Sequence, residues 1–285
     1  MNQGIHSLSA EQYHGDPCVT ASLSSSIASI LLDQSPSHAW LAHPRLNPAY
    51  VRESADSRFD LGSAAHMMLL ERREDKIARV AADDWRTKAA KEARAAAQAN
   101  GQYAILDRHY FAVVEMVSAA RAFINTTELA GIFETGEPER AVLWQERGMW
   151  YRCRPDLLSA DRRVCLDYKT TASAAPDAFA KQIGRMGYDL QSEFYTRGLF
   201  AVTEIEPTFV FLAQEISPPY ACSLVALSNA YREVGRAKVT RAMKIWETCI
   251  RANDWPSYTN QICYAEPTPW QLTDIETEPT EEIEE

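Results

Sequence analysis

The stretch RCRPDLLSADRRVCLDYKTT, residues 152–171, decides how the rest of the chain is read. Two apolar runs flank Ser159-Ala160-Asp161-Arg162, which reads as a turn between paired strands. Asp156 follows a proline, ten residues separate it from Asp167, and Lys169 stands two positions further on. Residues two apart on a strand share a face, so Asp167 and Lys169 point the same way and Tyr168 points to the other side, towards core or a helix. A hairpin brings Asp156 beside Asp167. Two carboxylates at one place repel unless a cation lies between them. Oxygen ligands of this kind suit Mg²⁺ or Mn²⁺. A lysine alongside can hold an attacking water or neutralise a phosphate. The set fits metal-assisted hydrolysis of a phosphodiester. The plainer alternative is a surface hairpin carrying an Asp–Lys ion pair.

Upstream, ERAVLWQERGMWYR adds two more apolar runs that turn at Arg147-Gly148. Residues 139–171 therefore read as a three-strand antiparallel meander. Downstream, residues 176–203 carry a helical pattern. Residues 207–216 and 220–228 read as strands separated by Pro218-Pro219, and residues 229–253 as a long closing helix. The N-terminal half reads as helices over parts of 20–48, where Pro36 ends a run, and over 59–75, 83–102 and 103–125. The expected fold class is mixed α/β: a small mixed sheet with an antiparallel meander, flanked by helices, behind a helical N-terminal half. Residues 1–20 are polar and expected to be loose or partly structured, 21–270 to form one domain, and 271–285 to be a disordered acidic tail.

The chain has 285 residues, 46% hydrophobic and 24% charged, which suits one large globular domain. Its net charge of −10 at first argues against a nucleic-acid partner. The end of the chain, TDIETEPTEEIEE, holds seven acids and no base, and leaving it out brings the balance to −3. A nearly neutral body can carry a local basic groove, so total charge does not decide the partner. The six cysteines are scattered with no Cys-x-x-Cys pair. No signal peptide and no run long enough for a membrane span are read, so a reduced, cytoplasmic protein is expected.

At this point the residues resemble a known group. RPDLL…CLDYKTT resembles the core of the PD-(D/E)XK nuclease superfamily. FDLGSAAHMMLLE resembles its Gly-x-x-x-His helix, here Gly62 to His66, and YDLQSEFYTRGL its Gln-x-x-x-Tyr helix, here Gln191 and Tyr195. SLSSSIASILLDQSPSHAWLAH resembles the opening of the RecE (exonuclease VIII) branch. The resemblance covers about residues 20 to 250 and implies a phage or prophage setting. It implies an exonuclease that digests linear double-stranded DNA from 5′ ends and leaves 3′ single strands. A single-strand annealing recombinase as partner and a homo-oligomeric ring around DNA are implied by analogy. The alternatives are a structure-specific or restriction-type endonuclease of the same superfamily, and a catalytically idle DNA-end-binding protein.

By resemblance His66, Asp156, Asp167 and the carbonyl of Tyr168 hold Mg²⁺ or Mn²⁺, and Lys169 contacts the water or the phosphate. Read without the resemblance, His66 is as well a core histidine among Ala65, Met67 and Leu70. Glu71 either supports the site or pairs at the surface. Gln191 and Tyr195 lie one helical turn apart and are implied beside the site, against a reading in which Tyr195 packs in the core. Arg154 shares the parity of Asp156 and is a candidate phosphate contact. Thr170 and Thr171 either bond a phosphate or are ordinary strand residues. Arg86, Lys88, Lys91 and Arg94 form either a DNA-gripping cluster or a solvated helix face. Ser24 to Ser26 either cap a helix or bind phosphate. Some RecB-type nucleases carry an iron–sulfur cluster on closely spaced late cysteines. Cys249 and Cys263 have no third cysteine near them, so no cluster is expected.

Overall fold

The computed structural model describes residues 1–51 and 60–271. The first twenty residues are more ordered than expected: β1 (Gly4–Ser7) is followed by α1 (Ala10–His14), closed by a capping box between Ser9 and Gln12. Next come β2 (Ser22–Ser24), α2 (Ser25–Asp33) and α3 (Pro36–Ala42). Pro36 stands at the start of α3, where its missing N–H costs nothing, and Ser35 caps that helix. Helix α4 (Leu61–His66) is capped by Asp60 and runs into a π-helical turn, Met67–Glu71. Then follow β3 (Ile77–Val80), α5 (Lys88–Ala99), β4 (Tyr103–Leu106), α6 (Asp107–Ile124) and the short α7 (Ile132–Thr135). The helix expected over 103–125 thus begins as a strand, because Tyr103–Leu106 pairs in parallel with β3. Residue 59 and the acidic stretch from 272 lie outside the described residues.

The second half contains β5 (Glu137–Pro138), β6 (Arg140–Glu146), β7 (Met149–Cys153), β8 (Leu157–Leu158) and β9 (Val164–Thr171). Helices α8 (Pro176–Met186) and α9 (Tyr188–Thr203) are separated by Gly187 at φ 69°, a left-handed conformation that glycine tolerates. Strands β10 (Thr208–Glu215) and β11 (Cys222–Ala226) precede α10 (Asn229–Ala252).

The meander is present but bent across two sheets. The β6–β7 hairpin lies in a four-stranded sheet ordered β1-β6-β7-β2. Strands β5 and β8 lie in a five-stranded sheet ordered β11-β10-β9-β8-β5. One pairing register nevertheless runs unbroken from Glu146↔Met149 through Val142↔Cys153 to Glu137↔Leu158. The ribbon changes sheet where Glu139 takes a φ of 57° opposite Asp156, next to Pro155, which has no N–H for the ladder. Strand β1 pairs antiparallel with β6, so the N-terminus is part of the sheet.

In the five-stranded sheet β9 and β10 are parallel and covered on both faces, which explains the near-continuous apolar run TFVFLAQE. Phe209, Phe211 and Cys165 pack with α8, α9 and α10 residues such as Phe179, Phe194 and Trp246. Leu166, Tyr168, Val210 and Leu212 face the other way, against Val113, Met116 and Ala120 of α6. Tyr168 therefore points away from Asp167 into a core, as the strand period requires, and its hydroxyl donates to Gln214 Oε1 at 2.6 Å. A second polar knot anchors the N-terminal segment. Buried Asp16 accepts from Ser22 N at 2.8 Å and Ser22 Oγ at 2.7 Å and lies 3.4 Å from buried Arg152. His43 Nε2 meets the Ser22 carbonyl at 3.0 Å while Nδ1 accepts from Arg45 N–H.

Candidate active site

The register of β8 and β9, Leu157↔Leu166 and Leu158↔Cys165, puts Asp156 opposite Asp167. Asp156 Oδ2 accepts from Tyr168 N–H at 2.8 Å. Lys169 Nζ reaches back along its own strand to Asp167 Oδ2. From α9, Gln191 Nε2 donates to Asp167 Oδ1 at 2.8 Å. Helix α4 supplies His66 from the opposite layer. Its Nε2 lies 3.3 Å from Glu139 Oε1 and 3.4 Å from Asp156 Oδ1, and its Nδ1 lies 3.6 Å from Glu71 Oε1. Gly62 lets α4 come this close: a Cβ there would stand 2.6 Å from Thr170 Oγ1.

Charge is strongly coupled at this spot. Burial raises the Asp167 carboxyl to about 6, with Lys169 opposing and Asp156 assisting. Burial and the neighbouring Asp156 likewise raise Glu139 to about 7, against Arg154 and His66. Burial works against the charge on Asp156, but His66 and Lys169 outweigh it and hold that carboxyl below its ordinary range. Burial also disfavours an imidazolium at His66, yet Asp156, Glu71 and Glu139 together push it up to about 10. Lys169 is held well above the usual lysine range by Asp167 and Asp156 despite burial.

Among the described residues His66, Glu139 and Asp156 offer ligand atoms that lie within 4.8 Å of one another. One imidazole and two carboxylates, half-buried and mutually repulsive when ionised, are a donor set that fits a divalent cation. Asp167 stands next to this group but is turned onto Lys169 and Gln191. A cavity of about 530 Å³ opens over the site, lined by His66, Glu71, Lys169, Thr170 and Tyr188 among others.

The expected residues distribute as follows. His66, Asp156, Asp167, Lys169, Gln191 and Thr170 come together. Tyr195 is buried in the core with its ring edge-on to Phe209, one turn beyond Gln191, and is bonded to neither Lys169 nor Asp167. Arg154 is engaged with Glu139 and stands over the Tyr13 ring, so it is an internal partner of the acidic group and not a free phosphate contact. Arg152 is buried on Asp16 and Ser22. Arg86 and Lys88 are 90% exposed, lie beside Asp84 and Glu92, and are not among the residues that line the cavity. Ser24 caps α2 through Ile27 N–H. Thr171 bonds Gln182.

Two contributors carry no local signal in the sequence. Glu139 opens the first strand of the expected meander and nothing in its own neighbourhood marks it as a site residue, yet counting back from the Arg147-Gly148 turn places it opposite Asp156. Tyr188, at the start of α9, sets its ring 5.1 Å from Lys169 Nζ.

A family model described as a PDDEXK-like domain of unknown function (DUF3799) matches residues 31–268. The chain belongs to this family. The PDDEXK-like fold agrees with the sheet, the Asp156–Asp167–Lys169 strand pair and the flanking α4 and α9. No curated protein sequence matches the chain. Among solved structures, a candidate exonuclease from Eubacterium rectale superposes with a TM-score of 0.58 at 13% identity. The match covers 94% of this chain and 98% of that one, and it shows the shared fold. A phage-related exonuclease from Haemophilus somnus matches with a TM-score of 0.30 at 12% identity, over 70% of this chain and 100% of its own. An alkaline exonuclease from Laribacter hongkongensis matches with a TM-score of 0.26 at 13% identity, over 68% and 93%. Among the described residues no helix is long and apolar enough to cross a membrane.

Proposed function

We propose that the protein is a metal-dependent exodeoxyribonuclease that degrades linear double-stranded DNA, 5′ to 3′, and leaves 3′ single strands for recombination. The observation that carries this reading is the juxtaposition of a three-residue cation group, His66, Glu139 and Asp156, with a buried Asp167–Lys169 pair at one cavity. A Mg²⁺ or Mn²⁺ ion bound there supplies charge stabilisation of the phosphate and a more acidic water. The chain's own residues do the rest. Lys169 presents a permanent cation to the phosphate oxygens and to the attacking water. Gln191 and Lys169 together fix the orientation of Asp167. Tyr168 N–H fixes Asp156. Positioning of this kind lowers the barrier without any covalent intermediate.

Recognition through backbone and end geometry fits a site that offers a lysine, a hydroxyl and carboxylates but no row of groups matched to base edges. A single-strand annealing recombinase as partner, a homo-oligomeric ring and a cytoplasmic setting complete the proposal and rest on the family resemblance.

The test sets linear duplex DNA, labelled at either end, beside closed circular DNA, with Mg²⁺ or EDTA, for wild type and Lys169→Ala. Early loss of the 5′ label from linear DNA alone, abolished by EDTA and by the substitution, is the expected result. Cutting of the circle would replace the reading by an endonuclease. Binding to ends without any cutting would replace it by an end-binding protein.

A further inference from the structure

A second groove, about 640 Å³, adjoins the candidate catalytic cavity at Thr170. Asp60, Gly62 and Thr170 line both spaces, so the two adjoin at that lip. The far part is lined by Trp85, His109, Gln182, Arg185 and Ile216. These groups come from separate elements: the segment before α5, the first turn of α6, the end of α8 and the end of β10. Trp85 is half-exposed, and the Arg94 guanidinium lies 5.3 Å from its ring centroid. His109 presents a half-exposed ring whose Nε2 accepts from Arg108. Arg185 is exposed and has no ion-pair partner among the described residues, and the Thr170 hydroxyl is likewise unbonded. Among the described residues the one acid lining the groove, Asp60, is turned onto the N-terminus of α4, where it accepts from Ser63 N–H at 2.8 Å.

Two aromatic rings with a guanidinium and a hydroxyl that have no partner among the described residues, beside the proposed phosphate-cleaving cavity, form the pattern that holds a nucleic-acid strand without reading its sequence. Base faces stack on aromatic side chains, and cations and hydroxyls follow the backbone. We propose that this groove seats the nucleotide adjoining the scissile phosphate, with its base stacked on Trp85 and a backbone phosphate held between Arg185 and the Thr170 hydroxyl. This rests on the nuclease reading and adds to it a strand path and a stacking residue. The Arg94 guanidinium braces the Trp85 ring, so that the base meets a platform already in place. Arg185 acts as a point of backbone attachment, and discrimination among bases is weak because every base has a stacking face.

The test uses duplex DNA with a short single-stranded end, carrying 2-aminopurine at successive positions near that end, in EDTA so that nothing is hydrolysed. Wild type is expected to quench the probe at one position. Trp85→Ala is expected to lose that quench and to bind on the order of tenfold more weakly, while Trp85→Phe keeps most of both. Arg185→Gln is expected to lower the salt dependence of binding by about one phosphate contact. Equal thermal midpoints of the variants exclude a folding defect as the cause. If Trp85→Ala keeps the wild-type quench and affinity, or Arg185→Gln keeps the full salt slope, the groove does not seat the strand although the nuclease reading stands. If wild type binds none of these DNAs, both readings fall together.

Discussion

Glu139 stands directly across the bent ribbon from Asp156, its N–H donating to the Asp156 carbonyl at 3.1 Å while both side chains reach His66 Nε2. Neither carboxylate has that neighbour by accident of a surface loop, because the pairing register continues on both sides of it. Backbone pairing by itself brings the two acids together.

Removing one of them should therefore loosen the cation site and leave the fold intact. Glu139→Gln keeps the volume and an acceptor for Arg154 but removes a charge. We expect Mn²⁺ affinity, measured by calorimetry, to fall by about 10- to 100-fold. The rise in unfolding temperature on adding Mn²⁺ should shrink in step. An unchanged titration would remove Glu139 from the ligand group.

Lys169→Ala and Asp167→Ala should each lower DNA cleavage by roughly 10²- to 10³-fold or more, with affinity for duplex ends in EDTA nearly unchanged. Normal Mg²⁺-dependent cleavage by either variant would show the chemistry lies elsewhere. Gln191→Leu separates orientation from chemistry. It strips the partner from buried Asp167 Oδ1, so a smaller loss of cleavage is expected together with a stability loss of about 1–3 kcal/mol.

How much of this was legible in the sequence depends on the kind of signal. Asp156, Asp167 and Lys169 were readable because strand parity and one short turn are local facts. His66 and Gln191 were readable because helical spacing and motif order carried them. Glu139 was not, since its place depends on a register set by a turn eight residues away. The Tyr103–Leu106 strand was hidden because a short apolar run leading straight into a helix fits either period. Arg154 had the right parity for a phosphate contact, but its partner, Glu139, belongs to another strand and was invisible to a reading of one strand at a time. The change of sheet had only Pro155 as a local mark.

His43 predicts a pH dependence separate from catalysis. Burial lowers it from the ordinary histidine value to about 4, while Arg152 and Arg45 oppose its charge and Asp16 and the Ser22 carbonyl favour it. The native ring is neutral, so as pH falls the unfolded chain takes up the proton first. Stability from this group is complete above the unfolded value and is lost as pH falls from about 6.5 towards the folded value near 4. Urea unfolding should show about 2 kcal/mol less from this source at about pH 5 than at about pH 7.5. His43→Gln should flatten that difference, and an identical pH slope in both proteins would refute the assignment.

Gly198 gives a packing test. A Cβ there would stand 2.5 Å from the ring of Trp144, which is fully buried between β6 and α9. Gly198→Ala should destabilise by about 1–3 kcal/mol in denaturant unfolding, despite the gain in helix propensity. A stabilised variant would mean that the ring moves freely.

The unbroken register of the ribbon also governs where the length of the chain can change. A single inserted or deleted residue between Glu137 and Glu146, or between Met149 and Leu158, would slip one strand against the other and turn every following side chain to the opposite face. A change of length between Glu139 and Asp156 would part those two acids, whereas the place of Asp156 opposite Asp167 is set separately by the turn between β8 and β9. Added residues are expected to be tolerated only at the hairpin tips, Arg147-Gly148 and residues 159–162, so the ribbon between them works as a ruler of fixed length.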